Sequence, residues 1–210
     1  MVILIDNGHG SDIAGKRSPD GRLLEYKYAR ETATAIVDKL SRKGYDALRI
    51  VTEDNDVSLQ ERVRRVNAVC AKYGTQNVLL VSIHCNAAPP NDGQWHKARG
   101  WSAWTSRSQT RGDRLADRLY AAAKVHLQDY MRTFPANTKQ KPIREDYSDG
   151  DPDFEAGFYI LRKSLCAACL TENLFQDNRD DVRYLLSEEG RAAIADLHVA
   201  GIVNYINQSR

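Results

Sequence analysis

Val2-Ile3-Leu4-Ile5-Asp6-Asn7-Gly8-His9-Gly10 opens the chain. Val2 to Ile5 are apolar, three of them β-branched, and turn formers follow at once; the pattern predicts a buried strand. The glycines on either side of His9 let the backbone turn tightly and approach whatever the imidazole holds. A histidine delivered by the end of a buried strand sits at the sheet edge where open α/β folds keep their sites.

The same pattern returns in Val78-Leu79-Leu80-Val81-Ser82-Ile83-His84-Cys85-Asn86. If the two strands lie side by side in parallel, both rings reach one point. Glu25 lies between them in sequence, at the start of a predicted helix over 24–43, where the helix dipole favours a carboxylate. A plain charge at a helix start explains Glu25 taken alone; the matching histidines favour a ligand. Two neutral imidazoles and a carboxylate suit one zinc ion, and three protein ligands with one open position is the catalytic form of such a site. A third apolar run, Cys169-Leu170-Thr171-Glu172-Asn173, again ends in an acid.

Working outward, Gly44 ends the first helix and 45–52 read as a second strand. Ser58-Leu59-Gln60-Glu61 is a capping box for a helix to Tyr73-Gly74, with Leu59, Val63, Val66, Val69 and Cys70 as its apolar stripe and Arg62, Arg64 and Arg65 as its solvated face. Residues 77–83 form the most apolar strand, expected at the centre. A loop over 86–100, a strand over 100–105 and a helix over 110–132 follow. Residues 133–156 are polar and irregular, a length of loop that usually has a function or moves. The runs 158–161 and 165–171 are the last strands. A short helix over 179–186 and a final one capped by Ser187 complete the chain. The alternation of strands and helices predicts an α/β fold: three layers, a twisted, mostly parallel sheet of about six strands with helices on both faces. There is no repeat or linker, so 1–210 reads as a single domain.

The bulk composition excludes several classes. Among 210 residues, thirty are basic and twenty-eight acidic, for a net charge of +2 with no basic run. That balance gives no argument for a nucleic-acid partner. No stretch approaches the ~20 apolar residues of a membrane span. Met1 leads straight into the first strand without a secretion signal, so either the chain acts without its own signal or one has been removed. Cys70, Cys85, Cys166 and Cys169 read as free packing thiols. In a strand, the side chains of the Cys166-Ala-Ala-Cys169 pair point to opposite faces.

The order Asp6-Asn7-Gly8-His9-Gly10, Glu25 at a helix start, Ser82-Ile83-His84-Cys85-Asn86, Arg99-Gly100-Trp101, Leu161-Arg162-Lys163-Ser164 and Thr171-Glu172-Asn173 resembles the zinc-dependent N-acetylmuramoyl-L-alanine amidases of the Amidase_3 type. The likeness runs from Val2 to about residue 205. It implies zinc held by His9, Glu25 and His84, and a catalytic Glu172 following the last strand. The implied reaction cuts the amide between the lactyl group of N-acetylmuramic acid and L-alanine in peptidoglycan, at the cell wall; the chain is expected to act as a monomer. The chain departs from the family pattern at Asn7, where proline is usual, at Cys85, where alanine is common, and at Asn173-Leu174-Phe175, where Gly-Phe is common. A related zinc carboxypeptidase and a metal-free regulatory or wall-binding module are the rival readings.

The remaining candidates are weaker. Asp6 and Asn86 are expected either to orient the ligands or simply to serve their turns. His126 lacks a partner at ligand spacing. His198 sits among apolar helix positions and reads as packing. His96 reads as a solvated loop residue, Trp101 and Trp104 as core, and Trp95 as a side chain able to stack on a sugar ring.

Overall fold

The computed structural model describes residues 1–90, 92–137 and 140–208. Six strands, β1 (Val2–Asn7), β2 (Asp46–Arg49), β3 (Val78–Asn86), β4 (Ser102–Thr105), β5 (Phe154–Glu155) and β6 (Ala167–Phe175), form one sheet in the order β2-β1-β3-β6-β4-β5. β2, β1, β3 and β6 are mutually parallel; β4 runs antiparallel to β6 and carries β5 alongside it in parallel. The helices are α1 (Glu25–Arg42), α2 (Leu59–Tyr73), α3 (Arg111–His126), α4 (Gln128–Thr133), α5 (Tyr159–Lys163), α6 (Arg179–Leu186) and α7 (Glu188–Gln208).

The period of two along each strand builds the three layers. Ile3, Ile5, Leu79, Val81, Ile83, Ala167 and Cys169 point to one side and pack against α1, α3, α6 and α7. Val2, Leu4, Val78, Leu80, Ala168 and Leu170 point to the other and pack against α2 and α5. β3 lies between β1 and β6, the central place its apolarity predicts. Cys169 belongs to the first side and Cys166 to the second, and all four cysteines are free. Among the described residues no helix is long and apolar enough to cross a membrane.

Several expectations need correction. Residues 159–163 are helical, not a strand. Ile160 and Leu161 are both buried in the same core, which adjacent residues of a strand cannot be. The helix expected over 110–132 breaks at Leu127 into α3 and α4. β3 and β6 run past their expected ends to Asn86 and Phe175, so His84 and Glu172 lie within strands, not after them. Arg62 is not on a solvated face: it is 2% exposed. Of the loop expected over 133–156, Ile143 bridges to Trp101 and β5 joins the sheet, while 138 and 139 lie outside the described residues. Residue 91 of the loop expected over 86–100 lies outside them too.

Candidate metal centre

Parallel pairing of β1 with β3 and of β3 with β6 brings three strand ends to one edge of the sheet. Asn7 is paired with Ile83, and His84 with Glu172. His9 is carried one turn beyond β1 in a left-handed conformation, φ 58°, rare for a side chain other than glycine. Glu25 is the first residue of α1, a helix that packs on the opposite side of the sheet from α2. It is 1% exposed and reaches over the strand ends.

The three groups meet. His9 Nε2 lies 3.4 Å and His84 Nδ1 3.2 Å from Glu25 Oε1. The two rings stand edge to face, with centroids 5.0 Å apart. One ligand atom from each residue falls within 4.8 Å of the others. Ligands around a tetrahedral zinc at 2.0–2.2 Å sit roughly 3.4 Å from each other, so the set is spaced for one ion. Glu25 Oε2 is buried without a hydrogen-bond partner among the described residues, an orphan that a cation would satisfy. Burial raises the Glu25 pKa, but hydrogen bonds with His84 and His9 outweigh it and hold the carboxyl well below its usual range. For His84, burial acts downward and is overcome by Glu25, so its pKa is raised.

The backbone around this set allows no bulk. A Cβ on Gly8 would lie 2.2 Å from Cε1 of His84, so the ring fits only against glycine. Two arginines fix the strained turn at His9. Arg30 Nη1 donates to the His9 carbonyl at 2.9 Å and Arg62 Nη2 donates to it at 3.3 Å. Arg62 also pairs with Asp6 and donates to the Asn7 carbonyl at 2.7 Å. Asp6 in turn accepts from Ser82 Oγ at 2.6 Å. Asp6 therefore acts on the turn through Arg62 and touches no candidate ligand directly. Asn86 serves its own turn: its side-chain oxygen accepts from the Ala87 N–H.

Glu172 shares the side of β6 that carries Ala168 and Leu170, and lines two cavities that both histidines also line. Burial pushes its pKa up to about 7; His84, Lys16 and Arg144 act against the rise and Glu25 with it. Its Oε2 is buried without a hydrogen-bond partner among the described residues. Directly after it, β6 carries an irregularity: His84 pairs with Glu172, but Asn86 pairs with Phe175, and Leu174 adopts φ 63°. Asn173 closes the gap, donating to the His84 carbonyl at 3.0 Å and accepting from the Trp101 indole at 3.0 Å.

Among the described residues the other histidines do not join the ligand group. His198 is fully buried between Thr171 Oγ1 and the Ile194 carbonyl, as packing predicts. His96 faces Asp92, and Trp95 lies under the Arg179 guanidinium; neither lines the two cavities. Trp101 is core, and Trp104 stacks on Phe154. Sequence reasoning missed Arg30, Arg62, Lys16 and Asn173. The one available signal was Asp6, an acid continuing a buried strand, which needs a buried partner.

The Amidase_3 family, described as N-acetylmuramoyl-L-alanine amidase, matches residues 3–204. The N-acetylmuramoyl-L-alanine amidase CwlM of Bacillus licheniformis is 28% identical over 213 residues, covering 100% of this chain and 70% of that protein. The endolysin of Bacillus phage SPP1 is 26% identical over 209 residues, covering 98% of this chain and 66% of that protein. Among solved structures, an N-acetylmuramoyl-L-alanine amidase from Clostridium difficile 630 superposes with a TM-score of 0.75 at 23% identity, covering 98% of this chain and 96% of that one. At that identity the structural likeness bears on the fold.

Proposed function

The chain belongs to the Amidase_3 family, and on that premise we propose that it is a zinc-dependent N-acetylmuramoyl-L-alanine amidase. It would hydrolyse the amide between the lactyl group of N-acetylmuramic acid and the L-alanine of the peptide stem. The convergence of His9, Glu25 and His84 around one point, with Glu172 beside it, carries the reading. Span 1–210 is read as one catalytic domain acting on the bacterial wall as a monomer.

His9, Glu25 and His84 would hold the ion. Zinc, when bound, supplies a Lewis acid that acidifies water and polarises a carbonyl. Glu172 takes a proton from the attacking water and returns it to the departing L-alanine nitrogen. A carboxyl that lines the same cavities as both histidines is placed for both halves of that exchange. Two cavities of about 380 and 360 Å³, each lined by Glu172 and both histidines, leave room for substrate around the scissile bond.

The test is digestion of purified sacculi with mass spectrometry of the products, alongside zinc content with and without chelator. A free lactyl end and a new L-alanine amine, lost on chelation, are expected. Release of a C-terminal stem residue instead would make the enzyme a carboxypeptidase, and an intact wall with no bound zinc would favour a non-catalytic module.

A further inference from the structure

Lys16 lines both of the cavities that Glu172 lines. It lies in the loop between His9 and α1, and that loop is pinned. The Lys16 carbonyl accepts from the Glu25 N–H at 2.9 Å, Arg17 bridges to Leu24, and Ser18 N–H donates to the Leu23 carbonyl at 2.8 Å. The backbone of Lys16 is thus one hydrogen bond from a candidate ligand.

Its ammonium group makes no hydrogen bond or ion pair with any described residue, although its charge is felt at Glu172. The contrast with Arg62 is direct. Arg62 also lines the first cavity but is committed to Asp6 and Asp56. In the second cavity Lys16 is the one lysine or arginine among the described lining residues. A half-buried cation on an anchored loop, uncommitted and facing a substrate cavity, suits an anionic group on the substrate.

The stem offers such a group close to the scissile bond. L-alanine carries no charge, but the D-glutamate after it is linked onward through its γ-carboxyl. Its α-carboxylate is therefore free unless amidated, and lies one residue, roughly 4 Å of chain, beyond the scissile amide. Building on the amidase reading above, we infer that Lys16 binds the α-carboxylate of this D-glutamate and so selects unamidated over amidated stems.

Two muramyl tripeptides that differ only in α-carboxylate against α-carboxamide on the second residue test this, with wild type, Lys16→Met and Lys16→Arg. The expected result is a wild-type preference for the acid, measured as a ratio of kcat/KM values. That ratio should fall about tenfold in Lys16→Met, by loss of one charge-assisted bond, and be largely kept in Lys16→Arg. A folding defect lowers both substrates alike and leaves the ratio unchanged. An unchanged ratio in Lys16→Met, with or without loss of activity, overturns the inference while leaving the amidase reading standing. Hydrolysis of neither substrate by wild type overturns the amidase reading and the inference with it.

Discussion

Arg62 Nη1 lies 2.6 Å from Asp6 Oδ1, and each side chain is 2% exposed. The pair spans from β1 to α2, and from it Arg62 reaches the carbonyls of Asn7 and His9. An ion pair so enclosed is costly to break from one side, because the surviving charge stays buried. Arg62→Met should therefore destabilise the protein by about 3–5 kcal/mol. Urea denaturation measures it; a loss below about 1 kcal/mol would mean that Asp6 finds another partner.

Glu172→Gln keeps the shape of the side chain and removes its basicity. Turnover on sacculi should fall about 10²- to 10⁴-fold, with zinc content unchanged. Wild-type turnover in this variant would take Glu172 out of the reaction.

Gly8→Ala places a methyl group against the His84 ring, where only 2.2 Å is available. The ring or the turn must shift. Zinc affinity in chelator competition should drop by about 10- to 100-fold, the range seen when groups supporting a ligand are lost. Unaltered affinity would show that the turn relaxes freely, contrary to its two arginine anchors.

His198 gives a pH signature from outside the candidate ligand set. Burial lowers its pKa to about 4, against about 6.5 in the unfolded chain. Between these values the unfolded state binds the extra proton, so stability rises with pH across the window. It is fully present above about 6.5 and lost as pH falls toward 4. The component is on the order of 3 kcal/mol. Denaturation curves of wild type and His198→Gln at several pH values isolate it: the gap between the two proteins should narrow on acidification. A constant gap from pH 7 to 4 would contradict the assignment.

The sequence reveals most of the layered architecture because hydrophobic period and chain punctuation report it directly. Val2–Ile5 and Val78–Ile83 are apolar enough to demand burial, and the Ser58 hydroxyl accepts from the Glu61 N–H at 3.2 Å as its capping box predicts. The gathering of His9, Glu25 and His84 follows from where those strands end. Arg62 departs from the sequence expectation for a physical reason. It neighbours Arg64 and Arg65 in sequence, but only its own position on the helix faces Asp6, and helical phase does not show which charge has a buried partner on the strand beneath it. The helix at 159–163 is not legible in the sequence because a short apolar run carries too little period to separate helix from strand. Asn173 is legible only once the irregularity in β6 is known, since its partners, the His84 carbonyl and the Trp101 indole, come from distant parts of the chain.

Glu25 approaches from the helical layer opposite to α2, while both imidazoles belong to the strand ends. A cation gripped by all three would rivet that helix to the middle of the molecule. Any fluctuation that lifts the first turn of α1 then empties the site, so the rate at which metal escapes would report how often this one helix lets go.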